Sequence, residues 1–532
     1  MQDLEQEFDV VIVGLGPAGA VAAALLATYG FKICIVERQA EIYDKPRAMA
    51  FDHEILRHFD NLDLLPQLLP HIHPFTASCH YGAQGQLIRT IDMVKPPYPL
   101  GYTPSMVFTQ PALEAVLRLH LARLPNVRLL IDAELISFNN QADQVVSEIR
   151  QADDSLFNLT SRFLLGCDGA SSDVRQLAGI ELQDLIFDEP WLVVDIICDE
   201  GVVAKLPQKS AQYCDPKRPI TYIVGPATHR RWEIMLSPGE DPKDMEKPES
   251  VWNLLSSFIM PQEGRLWRAA SYRFHALVAQ SWRHGRVLIA GDAAHQQPPF
   301  IGQGMCQGLR DVSNLAWKLA RVLKSESDLT LLDSYTHERR LHVKQLTSRV
   351  KEIGQMVCER NPQKAALRDA QILAQGGGKP PIITRQEIIP PLEVGVLANP
   401  RTKASGYLAP QPVILTAGGE VLLDKLTGTG WRLLIAADAV SQQQAAQLQT
   451  HGLHYSRAFI TSDASKAGQE AIWLEKEGVL TGWLQEHQAV AALVRPDHYV
   501  FGTAATIESV QTLFDDLHLQ LHPQVATKRN DR

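Results

Sequence analysis

The chain has 532 residues, 45% of them apolar, enough to bury a large core and to form about three or four domains. A formal net charge of −9 with no long basic block argues against a nucleic-acid surface, which needs clustered Lys and Arg to neutralise phosphates. The seven cysteines (Cys34, Cys79, Cys167, Cys198, Cys214, Cys306, Cys358) make no CxxC pair and no Cys/His spacing, so neither a metal site nor a disulfide framework is expected, and a reducing cytoplasm fits best.

The opening MQDLEQEF is acidic and lacks the basic stretch of a secretory signal, so export is not expected. Val10 to Ala27 carries no charge and is long enough on hydropathy to suggest a membrane span, but its glycines point elsewhere and no membrane association is expected. Phe8 to Val13 reads as a short buried strand, GLGPAG as a turn, the Ala-rich stretch to about Tyr29 as a helix, and FKICIVE as a second strand. That order is the βαβ unit of a parallel sheet. Apolar spacing predicts a helix over Leu113 to Leu124, followed by strands in VRLLIDAELISF and SRFLLGCDG. From about Glu181 to Ala279, strand-like runs (WLVVDIIC, RPITYIVG, RRWEIML) are broken by Pro, Gly and charged turns, which predicts an antiparallel sheet inserted as a substrate domain at 181–280. GRVLIAGDAAH returns to a buried strand and GLRDVSNLAWKLARVL to a helix, so the first domain would comprise 1–180 and 281–390. The Gly- and Pro-rich stretch from Gly376 to Pro410 sets the last boundary, leaving 391–532 as a small α/β domain.

Gly14, Gly16 and Gly19, with Pro17 and Ala18 between them, follow a strand and open a helix, which lets backbone N–H groups approach a pyrophosphate. Glu37 ends the next strand, where a carboxylate can accept hydrogen bonds from a ribose. The blander account, small residues for tight helix–sheet packing, does not explain Glu37. FLLGCDGASSDVR places Asp168 and Gly169 at a strand end with Arg175 six residues beyond the glycine, which a capped turn would also explain. In GRVLIAGDAAHQQPPFIGQGMCQGLRD, Gly291 and Asp292 follow a buried strand, and Pro299 leads to Gly302-Gln303-Gly304-Met305, where a helix N-terminus can stabilise negative charge on a bound ring system.

Together these segments resemble, over about residues 8–345, the class A flavoprotein monooxygenases of the para-hydroxybenzoate hydroxylase type. PRAMAFDHEILR, QYCDPKRP, GQGMCQGLRDVSNLAWKLA and DSYTHERRLH are closest to the 3-(3-hydroxyphenyl)propionate hydroxylase branch. The resemblance implies an α/β fold: a Rossmann-like FAD-binding domain with an inserted antiparallel-sheet substrate domain and a C-terminal thioredoxin-like domain. With no cysteine beyond Cys358, that last domain would have no thioredoxin-like redox role. The resemblance also implies FAD as cofactor, NADH or NADPH as co-substrate bound without a second nucleotide fingerprint, dioxygen, a small phenolic substrate, and a homodimer. Hydroxylation would run through a flavin C4a-hydroperoxide, whose electrophilic oxygen demands an electron-rich ring.

Carried over by motif, the three glycines would hold the FAD pyrophosphate, Glu37 and Arg38 the adenosine ribose, and Arg47 and Gln110 would also face FAD. Asp292 would contact the pyrophosphate and ribityl region, Gly302 to Met305 the isoalloxazine, and Asp168 and Arg175 belong to a motif associated with FAD and NAD(P)H. His53, Tyr213 and Tyr222 are candidates for the general base or phenol-binding group, because His and Tyr can relay a phenol proton. A surface helix is the plainer account of His53, and the related branch commonly has an acidic residue there. Trp232 is a candidate for the pocket wall, although strand aromatics mostly serve core packing. Arg218 or Arg231 could receive a carboxylate tail, with solvated surface charge as the plainer account; His295 has a structural reading. Rival readings are a polyketide- or quinoline-tailoring hydroxylase on the same scaffold, a non-catalytic flavin-binding protein, and an NAD-only dehydrogenase; the WxWxIP motif of flavin halogenases is absent.

Overall fold

The computed structural model describes residues 7–466 and 472–522, so the acidic residues 1–6 and the end of the last predicted domain, 523–532, lie outside the described residues. The chain divides into two compact units, one of Met1–Val94, Thr103–Val312 and Val343–Pro390, the other of Lys95–Tyr102, Ser313–His342 and Pro391–Arg532.

In the first unit, Glu7–Val13 runs parallel to Ile33–Glu37 on one side and to Leu156–Gly166 on the other, with Val127–Ile131 and Val287–Ile289 extending the parallel sheet outward. Val10, Val11 and Ile12 are fully buried, as expected of a central strand covered on both faces. The helix Pro17–Thr28 crosses between the first two strands, with proline at its first turn where no N–H is needed. An antiparallel meander, Ala133–Asn140 and Val145–Gln151, packs onto Leu156–Gly166.

A second sheet of nine strands runs in the order His295–Gln296, Gly264–Ala279, Leu182–Cys198, His229–Met235, Ile220–Val224, Ser210–Tyr213, Ser78–Tyr81, Leu87–Asp92 and Ile382–Thr384. Its central pairs are antiparallel, as the sequence between Glu181 and Ala279 predicts. It is not confined to 181–280, however, because Ser78–Tyr81 pairs in parallel with Ser210–Tyr213 and Ile382–Thr384 pairs with Leu87–Asp92. Residues separated by about 130 and 290 positions thus share one surface.

The second unit centres on a seven-stranded sheet in which Trp431–Ala436, Tyr455–Thr461 and Ile472–Glu475 run parallel and Ala491–Val494 and Val500–Ala504 form an antiparallel hairpin. An ion cluster stiffens it: Glu338 meets Lys318 at 2.9 Å and Arg495 at 2.7 Å, and Arg495 also reaches Asp497 at 2.6 Å. All four side chains are buried, so each charge is tolerable only because its partners are present.

Candidate functional site

At the end of the first strand the chain turns through Gly14 at φ +99°, and a Cβ there would stand 2.5 Å from the Cys167 carbonyl oxygen. A Cβ on Gly19 would collide with the Gly14 carbonyl, so glycine at both positions brings the helix Pro17–Thr28 down onto the turn. Gly16 caps that helix without a side-chain hydrogen bond, and no acidic residue lies in its first turn, which leaves the first N–H groups open to an anion. Glu37 accepts from the Leu15 N–H at 2.7 Å and from the Gln39 N–H at 2.8 Å, fixing its carboxylate beside the turn.

These residues edge a cavity of about 1150 Å³. Of the sequence candidates, Gly14, Gly16, Pro17, Ala18, Glu37, Arg38, Arg47, Gln110, Asp168, Gly291, Asp292, Gly304 and Met305 line it. Arg47 and Gln110 both bond Glu114 Oε1, at 2.6 and 2.7 Å, and Gln110 Oε1 accepts the Ala48 N–H, which anchors the irregular segment around residue 47 to the helix Gln110–Leu121. Asp168 accepts from Ser172 and from the Val174 N–H, holding the strand-end turn closed. Asp292 opens onto the cavity while protein encloses it, and this burial, with Asp311 adding, pushes its carboxyl above the usual range.

The remaining cofactor candidates do not line the cavity but support it. Gly19 seats the helix. Arg175 is buried and donates to the carbonyls of Ala170 and Ala293, both at 3.1 Å, so it ties the Asp168 turn to the Asp292 turn. The Pro299 carbonyl accepts the Gly302 N–H at 2.7 Å, and Gly302 sits at φ +59°. Gln303 is turned away into a buried cluster: its amide donates to Asp52 at 3.1 Å and accepts from Arg310 at 2.7 Å, while Arg310 also bonds Asp52 and Glu54. Burial opposes the charge on Asp52, but Arg310 outweighs it and keeps the carboxyl below its ordinary range. The sequence reading passed over Asp52, Glu54 and Arg310; acidic and basic residues near two proposed flavin segments were the available signal. His295, which also lines the cavity, bonds Asp311 at 2.7 Å and stacks on Trp282, and Asp311 also accepts the Gly291 N–H.

The catalytic and substrate candidates need correction. His53 is not on a surface helix but buried at the start of His53–Asn61, and burial lowers its pKa and favours the neutral ring. Tyr222 and Trp232 are fully buried in the core that the nine-stranded sheet forms with Val251 and Leu255 of the helix Pro248–Leu255, and the Tyr222 hydroxyl donates to the Pro207 carbonyl at 3.0 Å. Tyr213 packs against the same core, stacked on Tyr81 at 5.5 Å. Arg218 is paired with both Glu240 oxygens at 2.6 and 2.9 Å, so its charge is already matched by a carboxylate of the protein. Strand alternation turns their neighbours to the other face. There Arg231 grips Asp195 with two bonds, at 2.7 and 3.0 Å, and donates to the carbonyls of Arg47 and Pro46.

A glycine turn, a strand-end glutamate and a Gly-Asp turn around one cavity define a dinucleotide-binding protein. Residues 7–350 match the family model of an FAD binding domain, and residues 406–519 that of the HcaD C-terminal domain. The chain is 34% identical over 519 residues, 97% of its length and 95% of its relative's, to a probable NADH-specific resorcinol 4-hydroxylase of Rhodococcus jostii (strain RHA1). It is 32% identical, over 92% and 93% of the two chains, to a 3-(3-hydroxy-phenyl)propionate/3-hydroxycinnamic acid hydroxylase of Burkholderia cenocepacia (strain HI2424). Among solved structures, the flavin-dependent monooxygenase PieE, with FAD and substrate, superposes with a TM-score of 0.79 at 20% identity over 97% of this chain and 99% of that one, a likeness of fold alone. The chain belongs to the family of FAD-dependent aromatic hydroxylases, NAD(P)H-consuming monooxygenases.

Proposed function

We propose that this enzyme hydroxylates a small phenol of the resorcinol or 3-(3-hydroxyphenyl)propionate class, with NADH as reductant. The observation that carries the reading is the end-to-end match to a relative named for NADH and resorcinol, on a chain whose cavity fits FAD. The balanced reaction takes the phenol, NADH, a proton and dioxygen to the dihydroxy product, NAD⁺ and water.

The residues suit the cofactor. The N–H groups opening Pro17–Thr28 would receive the diphosphate, Glu37 the adenosine ribose, Asp292 the middle of the molecule, and the segment Gly302–Met305 with the start of the helix Gly304–Leu323 the ring. FAD supplies hydride acceptance and activation of dioxygen toward an electron-rich ring. The protein's part is to orient the phenol, exclude water and take its hydroxyl proton. The inner face of the nine-stranded sheet, which carries Arg231 and its neighbours, is the surface we assign to the substrate.

The C-terminal sheet, with three parallel strands, a hairpin and the covering helix Ile507–Leu521, supports a thioredoxin-like reading without redox chemistry, since Cys358 is the last cysteine. We place the enzyme in the cytoplasm as a homodimer that binds neither nucleic acid nor membrane. All seven cysteines are free and buried, and no described helix is long and apolar enough to cross a bilayer.

The test is the visible spectrum of the purified protein, then oxidation of NADH and NADPH and oxygen uptake with resorcinol and 3-(3-hydroxyphenyl)propionate. A yellow protein whose NADH oxidation and oxygen uptake rise with a phenol, giving a hydroxylated product, supports the proposal. A flavoprotein that no phenol stimulates removes the substrate class, and one that cannot be loaded with FAD removes the whole reading.

A further inference from the structure

Along His229–Met235 alternate residues face opposite sides of the sheet. Trp232 and Ile234 enter the helix-covered core. Arg231, Glu233 and Met235 point the other way. Arg231 is held against the Pro46 and Arg47 carbonyls, and Met235 packs in a cluster with Phe300 and Ile301, the residues just before Gly302. Glu233 stands between these two residues on the strand and shares their face.

Other buried carboxylates on this side are neutralised at short range: Asp195 by Arg231 and His229, Asp52 and Glu54 by Arg310, Glu114 by Arg47 and Gln110. Glu233 is only 3% exposed, yet its nearest cation is Arg231 at 3.9 Å, whose donors are committed to Asp195 and two carbonyls. Among the described residues it accepts no hydrogen bond. A buried, uncompensated carboxylate is costly, and such groups concentrate where a ligand completes the partnership. Beside it the register sets a polar row across the sheet: Glu233 opposite Thr221, Thr221 opposite Gln212, Gln212 opposite His80. Thr221 donates to Gln212 Oε1 at 2.7 Å, which leaves the Gln212 amide nitrogen for an oxygen on the ligand.

We propose that Glu233 is the base that accepts the proton of the substrate's phenolic hydroxyl, with Gln212 binding a second oxygen substituent of the same ring. The inference rests on the function proposed above. The phenol O–H bond breaks, its electron pair stays on oxygen and feeds the ring, and the proton forms an O–H bond on the carboxylate. After oxygen transfer the carbon-bound hydrogen leaves as a proton to solvent, and Glu233 returns its own proton to the ring oxygen. Burial, with Asp195 adding, pushes Glu233 up to about 7 against the pull of Arg231 and Arg268. A base in that range is half ionised near neutral pH and reprotonates the product readily.

The test uses FAD-loaded wild type, Glu233→Gln and Glu233→Asp, with the phenol that the wild type hydroxylates. Wild-type kcat/KM should rise about tenfold per pH unit up to about pH 7 and then level; Glu233→Gln should lose about 100-fold and that rise with it. The Kd of the phenol, read from its perturbation of the flavin spectrum, should move less than about threefold, so the loss falls on kcat. A ring-fluorinated analogue, already ionised at the assay pH, should rescue Glu233→Gln to within about fivefold of wild type, a recovery that a merely structural residue would not allow. Glu233→Asp keeps the charge and should keep the pH rise with about a tenfold loss, which leaves the idea testable if the Gln variant fails to hold FAD. Wild-type hydroxylation with an unchanged pH profile in Glu233→Gln overturns this inference alone, whereas a wild type that hydroxylates no phenol overturns the function beneath it.

Discussion

Arg310 joins three segments in one contact, donating to Asp52, to Glu54 at 2.6 Å and to Gln303 at 2.7 Å, all of them buried. Arg310→Met keeps much of the volume and strands two carboxylates without this cation. Breaking a buried pair in this way costs about 3–5 kcal/mol. At about 2–4 °C per kcal/mol for domains of 150–250 residues, and less for a larger unit, Tm should fall by roughly 5–10 °C. The pH dependence gives a sharper check. In the native protein Arg310 holds the Asp52 carboxyl below its ordinary value, so Asp52 stabilises the fold above its unfolded pKa, and that contribution is lost as pH falls through the folded value. Without Arg310, burial raises the folded pKa instead, Asp52 takes up a proton on folding, and acid favours the variant's fold. The gap in Tm should therefore narrow between about pH 7.5 and about pH 5. Thermal melting of the FAD-loaded proteins, followed by FAD fluorescence, measures it. A variant within about 2 °C of wild type, or a gap that widens on acidification, would show that Arg310 does not hold the Asp52 charge in the fold.

Gly14→Ala places a Cβ at φ +99° against the Cys167 carbonyl, and strain of about 1–3 kcal/mol with overlap of similar size should weaken FAD binding at least about 30-fold, as equilibrium dialysis would show. Tyr222→Phe removes the hydroxyl bonded to Pro207 and should cost about 1 kcal/mol while turnover stays within about twofold; a 100-fold fall in kcat would return Tyr222 to the site. Arg218→Ala frees Glu240 and should leave the KM of a carboxylate-bearing phenol within about twofold, since its guanidinium is already occupied. Glu338→Ala leaves Lys318 and Arg495 as buried cations and should lower the stability of the second unit by about 3–5 kcal/mol, read as an earlier calorimetric transition.

The cofactor half of the site was legible because its demands are local. A positive φ at Gly14, a Cβ-free approach at Gly19 and a carboxylate at the end of the next strand are each met within a few residues of sequence. The surface we assign to the substrate was not, because every residue of His229–Met235 is buried. With both faces covered the alternation carries no polar and apolar contrast, so nothing local distinguishes the face of Trp232 from the face of Glu233. The aromatics drew attention as pocket candidates, yet they fill the core under Pro248–Leu255. Lys318 misleads in the same way: in an amphipathic helix it reads as a solvated charge, and it becomes a core residue only because Glu338 closes on it at 2.9 Å. The nine-stranded sheet was read short because Ser78–Tyr81 and Ile382–Thr384 join it from far away in sequence, where short strands leave little pattern of their own.

The distribution of charge on the inner side of that sheet separates scaffold from chemistry. The segment Lys45–Ala48 has no regular backbone partners, so its carbonyls need donors from elsewhere, and Arg231 supplies them to Pro46 and Arg47. An arginine can do this only while its charge is balanced, which is the part of Asp195; His229 then secures the second lone pair of the same carboxylate oxygen. The Arg231 guanidinium is committed to Asp195 and the two carbonyls. Arg310 is committed in the same way, through Nε, Nη1 and Nη2. A group that acts on a passing ligand must be one that the fold positions without saturating. By that criterion Glu233 stands out, held buried by its strand and accepting no hydrogen bond among the described residues.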